Sequence, residues 1–169
     1  MNTPLRLRRV LYLSNSEGFP GNGNKWLLAE LTRRLQEIGY EVWNPFNRNG
    51  QSHFLYGEGD DFNIARDNIT DILKSDVLMA VVNGTPPNHG VFVELGIAIA
   101  KSMPTFIFDA CNNVPRRPTV SKKYPEDIML FSGMPANKWQ DHYYTTLDEI
   151  SDPNKALFRF NMPAQVKKW

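Results

Sequence analysis

The stretch Gly84-Thr85-Pro86-Pro87-Asn88-His89-Gly90-Val91-Phe92-Val93-Glu94-Leu95-Gly96 puts one carboxylate where chemistry is expected. Upstream, Asp76-Val77-Leu78-Met79-Ala80-Val81-Val82 is an unbroken apolar run, the pattern of a strand buried on both faces. Downstream, Val91 to Lys101 follows a helical pattern. Glu94 is therefore expected about one turn into a helix that starts at the carboxyl end of a central strand. Ligands of open α/β sheets bind at that edge. The positive end of the helix favours an ionised carboxylate there. The same placement suits a solvent-facing dipole partner, so the residue type alone leaves both roles open.

Other chemistries find less support. His53, His89 and His142 are scattered without paired ligand spacing, which argues against a metal site. No Ser/His/Asp or Cys/His arrangement stands out. The loop Asn15-Ser16-Glu17-Gly18-Phe19-Pro20-Gly21-Asn22-Gly23-Asn24 has the composition to cradle a phosphate with backbone N–H groups. It lacks a lysine after the glycines in P-loop spacing, and a plain connection explains it as well.

The elements that must position Glu94 follow from periodicity. Arg9 to Ser14 reads as the first strand, and Lys25 to Ile38 as a helix with Leu27, Leu28, Leu31, Leu35 and Ile38 on one stripe. Gly39 closes that helix as a C-cap, and Tyr40 to Trp43 is a short second strand. Asn44 to Asp60 is a polar loop carrying His53, Phe54 and Tyr56, long enough to act as a lid. Its aromatics suit stacking on a heterocyclic base and pinning to the core equally. Asp61 to Lys74 is helical, with Phe62, Ile64, Ala65, Ile69, Ile72 and Leu73 apolar. Pro104 to Asp109 is a fourth strand, Ala110 to Pro125 a basic surface excursion, and Asp127 to Phe131 either a fifth strand or the lip of the site. Thr145 to Phe158 reads as a closing helix, and Asn161 to Trp169 as an extended tail. Alternating strands and helices imply parallel βαβ units. The expected fold is α/β, a flavodoxin-like three-layer sandwich with a five-stranded parallel sheet of order 2-1-3-4-5.

Composition narrows the function classes. With 169 residues, 41% hydrophobic and 22% charged, the chain has the make-up of one globular domain spanning 1–169. A formal charge of +1, with no Lys/Arg run longer than a pair, gives no nucleic-acid footprint. Neither a signal peptide nor a membrane span is expected, because the basic start leads into a short strand. One cysteine, Cys111, excludes an internal disulfide and fits a reducing cytoplasm.

Three segments together resemble the nucleoside 2-deoxyribosyltransferase family. Asn88 to Ala100, followed by Lys101-Ser102-Met103-Pro104, is similar to the family's glutamate helix. Arg66 to Asp76 resembles the helix before the central strand. Glu126-Asp127-Ile128-Met129-Leu130 resembles a segment that, in the family, reaches into a neighbouring subunit's active site. The similarity covers roughly residues 9 to 134. It implies base exchange on 2-deoxyribonucleosides with free nucleobases as acceptors, no cofactor, and Glu94 as the nucleophile that carries the sugar as a deoxyribosyl ester. Such retaining transfer needs a carboxylate against an oxocarbenium-like transition state, and a centre without a 2-hydroxyl bears that charge more easily.

The resemblance implies roles for further residues. Tyr12 would hydrogen-bond the nucleophile, although core packing suits it as well. Phe19 either lines the sugar pocket or packs. Asn68 stands where many members have an aspartate that handles the base's proton; an amide can bond a base edge but cannot exchange that proton near neutral pH. Asp67 beside it offers a carboxylate. Asn88 stands where an aspartate usually holds the sugar hydroxyls, and it also suits a helix N-cap. Asp127 and Met129 would complete a neighbour's pocket in a homo-oligomer, a dimer at least and a hexamer in reach. Phe131, Met134 and Trp139 suit either that interface or the core; Trp169 is placed to stack on the base, although a frayed terminus explains it better.

Two alternatives share the fold. A 2-deoxynucleoside 5′-monophosphate N-glycosidase would use water as acceptor, but a carboxylate such as Asp127 would repel a dianionic phosphate. A non-catalytic nucleotide sensor would bind without turnover.

Overall fold

Five strands pair in parallel in the spatial order β2-β1-β3-β4-β5: β1 (Val10–Ser14), β2 (Glu41–Trp43), β3 (Val77–Val81), β4 (Thr105–Phe108) and β5 (Tyr143–Tyr144). This is the expected flavodoxin-like order. The structure is a computed structural model that describes residues 8–19, 24–48, 61–83, 88–110 and 128–161. The aromatics His53, Phe54 and Tyr56, the stretch holding Cys111 and Asp127, and Trp169 lie outside the described residues.

The sheet is covered on both faces because its strands carry apolar side chains on both. Along β1, Val10 and Tyr12 join one core with Leu78, Ala80, Val91, Leu95 and Ala98. Leu11 and Leu13 face the other way, against Leu27, Leu28, Leu31 and Leu35 of α1 (Lys25–Glu37). This is the two-residue alternation of a strand. The first core is roofed by α3 (Asp61–Lys74) and α4 (His89–Ala100), and a four-residue helix α2 (Pro45–Arg48) follows β2. On α3 the expected apolar stripe divides: Ile72 is buried, whereas Ile69 and Leu73 are exposed.

Two helix ends show why the chain turns where it does. After α1, the Tyr40 N–H bonds the Leu35 carbonyl at 3.1 Å and the Gly39 N–H bonds Gln36 at 3.0 Å, with Gly39 at φ 100°. That is a Schellman motif with its usual glycine, as expected for Gly39. After α4 the same pattern recurs, Met103 N–H to Ala98 and Ser102 N–H to Ile99, both at 2.9 Å, but Ser102 occupies the left-handed position at φ 57°. A side chain there costs about 1–2 kcal/mol. Ser102→Gly is expected to raise the melting temperature by about 2–4 °C and leave the site untouched; an unchanged or lower melting temperature would contradict this.

The C-terminal third departs from expectation. Ile128–Phe131 is a 3₁₀ turn, not a strand, and the fifth strand is the short pair Tyr143–Tyr144. The closing helix divides into a 3₁₀ turn, Asp148–Ser151, and α5 (Ala156–Asn161). Pro153 lies between them, and proline interrupts a continuing helix. Phe131, Met134 and Trp139 are buried and pack with Tyr143, so they belong to the core and form no exposed interface.

Candidate active site

Two neighbouring elements aim three polar side chains at Glu94. From β1, the Tyr12 hydroxyl donates to Glu94 Oε1 at 2.9 Å and the Ser14 hydroxyl donates to Oε2 at 2.6 Å. Tyr12 and Ser14 are two residues apart, so strand alternation turns both toward α4. From α3, Asn68 Nδ2 approaches Oε1 at 3.3 Å. Donors therefore meet both carboxylate oxygens.

The electrostatics are a contest between burial and these donors. Burial raises the Glu94 pKa above the usual carboxylate range, and hydrogen bonds from Ser14, Tyr12 and Asn68 oppose the rise. Burial and the facing Glu94 charge push the Tyr12 phenol far upward, so it stays protonated and acts as a donor. The helix itself helps less than expected. Because α4 begins at His89, Glu94 is its sixth residue, past the first turn where the macrodipole is effective. Hydrogen bonds, more than the dipole, favour its ionised form.

The other expected residues fall in different places. Asn88 is exposed and caps α4, its Oδ1 accepting from the Gly90 N–H at 2.8 Å. Asp67 is exposed, one position along α3 from the buried Asn68, and does not join the Glu94 hydrogen bonds. Phe19 packs edge-on against Phe46, with ring centroids 4.8 Å apart. Met129 is 69% exposed on its 3₁₀ turn. Sequence reasoning missed Ser14, which reads there only as the end of a strand, although its spacing from Tyr12 is an available signal. No group of three or more His, Cys, Asp or Glu side chains suited to a metal occurs among the described residues.

A family model for nucleoside 2-deoxyribosyltransferase matches residues 11–129. The chain belongs to that family. Family members act on the N-glycosidic bonds of nucleosides, by transfer or by hydrolysis. Among solved structures, the chain resembles a 2-deoxyribosyltransferase from Bacillus psychrosaccharolyticus at 12% identity, with a TM-score of 0.60, over 85% of this chain and 90% of that one. A 2-deoxyribosyltransferase from Leishmania mexicana aligns at 14% identity and a TM-score of 0.59, covering 83% of this chain and 92% of the other. A conserved protein from Enterococcus faecalis V583 aligns at 19% identity and a TM-score of 0.50, over 91% and 88%. At these identities the likeness is one of fold. No curated protein sequence matches the chain significantly. No helix among the described residues is long and apolar enough to cross a membrane.

Proposed function

We propose that this family member is a nucleoside 2-deoxyribosyltransferase that exchanges bases through an ester on Glu94. The observation that carries the reading is the partly buried Glu94 carboxylate at the carboxyl edge of the sheet, held by Tyr12, Ser14 and Asn68. One carboxylate oxygen attacks C1′ of a 2-deoxyribonucleoside as the C1′–N bond breaks, and the base leaves with the bonding pair. A proton from solvent neutralises it, because Asn68 cannot supply one near neutral pH and Asp67 is exposed away from the cluster. A nitrogen of the second base then attacks C1′, the ester bond breaks back to the carboxylate, and the new nucleoside loses its surplus proton. Donors already aimed at both oxygens cost no reorganisation during the reaction, which is the advantage of a preorganised site.

Incubation with deoxyinosine and free adenine tests this. Deoxyadenosine is the expected product. Free deoxyribose without deoxyadenosine would replace transfer by hydrolysis, and binding without turnover would make the protein a sensor. A 2-fluoro donor, which slows release of the sugar, is expected to leave an adduct at Glu94 that mass analysis can locate.

The same reading includes a homo-oligomer, with Asp127 and Met129 entering a neighbour's site, working in a reducing cytoplasm. Helix α4 is apolar on nearly all sides, and a helix of that kind is normally covered. Yet Val93 is 63% exposed on it, Ile69 and Leu73 are exposed on the adjoining α3, and Ile128 and Met129 are exposed on the nearby turn. A charge at the centre of such a face disrupts association. Val93→Glu is expected to shift the protein toward monomer in sedimentation and to lower exchange with it; a wild-type protein that sediments as a monomer would remove the oligomer from the reading.

A further inference from the structure

Residues that follow the strands form a buried polar belt along the carboxyl edge of the sheet. Asn44, after β2, accepts at Oδ1 from the Phe46 N–H at 3.2 Å and from Asn15 Nδ2 at 3.4 Å. Asn15, after β1, also donates to the Leu13 carbonyl at 2.8 Å and accepts from the Glu17 N–H at 3.2 Å. The Glu17 carboxylate accepts from the Asn24 N–H at 2.6 Å and from Asn83 Nδ2 at 3.1 Å. Asn83, after β3, accepts at Oδ1 from the Ala110 N–H, after β4, at 2.9 Å. Asn15, Glu17, Asn44 and Asn83 are all buried. The belt runs from β2 to β1 to β3 to β4, which is the order of the strands in the sheet.

Glu17 is the charged member of this belt and the junction of three connections. Burying a carboxylate is costly unless its oxygens are hydrogen-bonded, and here amide donors meet both. One comes from Asn24, whose own side chain caps α1 by accepting from the Leu27 N–H at 2.9 Å. The other comes from Asn83, on the segment that leads to α4 and Glu94. Asn15, bonded to the Glu17 backbone, directly follows Ser14 in the chain.

We infer that Glu17 is a positioning residue for the Glu94 site: its buried carboxylate ties the loop after β1 to the connections leaving β3 and β4, so that Ser14 meets Glu94 in one fixed arrangement. This rests on the reading of Glu94 as the reacting group. A displacement of about 1 Å between reacting groups can cost a hundredfold in rate, so a clamp outside the reaction can still govern it. The orientation of Asn83 is set by its partners. Its Oδ1 must face the Ala110 N–H, which turns Nδ2 toward Glu17, and neither end can be reversed without opposing two donors.

That polarity supplies the test. In Glu17→Gln the new amide sets a donor against Asn83 Nδ2. In Asn83→Asp two carboxylates face each other. In the double variant Glu17→Gln with Asn83→Asp, the introduced amide accepts from the Asn24 N–H and donates to the introduced carboxylate. That carboxylate still accepts from the Ala110 N–H, and the buried charge is again single. Amide hydrogen exchange by NMR on the full chain is expected to speed up at both Asn24 and Ala110 in Glu17→Gln and to slow again in the double variant. In the base-exchange assay kcat is expected to fall tenfold to a hundredfold in Glu17→Gln with little change in KM, and to recover in the double variant. Faster exchange at Asn24 alone, additive losses in the double variant, or an unchanged kcat would overturn the assignment. A wild-type protein that neither exchanges bases nor releases deoxyribose would instead remove the reading of Glu94, while the amide data would still decide whether Glu17 couples the connections.

Discussion

Glu94→Gln is expected to abolish base exchange and, at neutral pH, to make the protein more stable. The loss should reach roughly four to six orders of magnitude, the scale on which removing a nucleophile acts, because an amide oxygen cannot form the ester. The gain in stability follows from the direction of the pKa shift. Burial raises the folded-state pKa of Glu94 above its unfolded value. The folded protein therefore holds this proton more tightly than the unfolded chain, and the associated stability is present in acid. It is lost as pH rises from the ordinary carboxylate range through the raised folded value. At neutral pH the wild-type protein bears the cost of a buried charge that Gln does not have. Tyr12 and Ser14 can still bond the amide, since each hydroxyl both donates and accepts. Thermal melts across acid to neutral pH should show the variant's advantage opening as pH rises. An active Gln variant, or one less stable than wild type at every pH, would refute the assignment of Glu94.

Removing the donors one at a time should move the acid limb of the kcat/KM profile upward. Transfer needs the ionised carboxylate, so the limb follows the Glu94 pKa, and each lost hydrogen bond lets burial dominate further. Ser14→Ala is expected to have the larger effect. Its 2.6 Å bond is short, as charge-assisted bonds are, and it is made to Oε2, whereas Tyr12 and Asn68 share Oε1. A hydrogen bond to a charged group contributes about 1.5–3 kcal/mol, which corresponds to roughly a tenfold to hundredfold loss of kcat/KM. Tyr12→Phe should shift the limb in the same direction by less, because Asn68 still meets Oε1. Ser14→Thr, which keeps the hydroxyl, should restore most of the wild-type profile. An acid limb that stays in place in both Ser14→Ala and Tyr12→Phe would show that these hydroxyls do not control the carboxylate.

The exposed apolar residues show where a single chain's pattern misleads. Ile69 and Leu73 fit the helical stripe of α3, and the pattern leaves Phe131, Met134 and Trp139 open between core and interface. The structure exposes the first pair and buries the other three. Hydropathy reports that a side chain needs cover without reporting what provides it, and a partner's surface leaves the same trace in the sequence as the chain's own core.

Sheet order and Glu94's place at the sheet edge were legible in the sequence, since alternation of buried strands with amphipathic helices leaves few parallel arrangements. Local capping was equally legible: Gly39 and Asn88 do what their backbone chemistry favours. Tertiary structure decided the rest, because it depends on residues distant in the chain. The fifth strand is too short to carry a period, the contact of Ser14 with Glu94 spans 80 positions, and the belt through Glu17 exists only once four strand ends are brought side by side. Periodicity records which face a residue turns to the core. It carries no record of the partner met there, and at this site the partners determine whether a partly buried carboxylate stays charged.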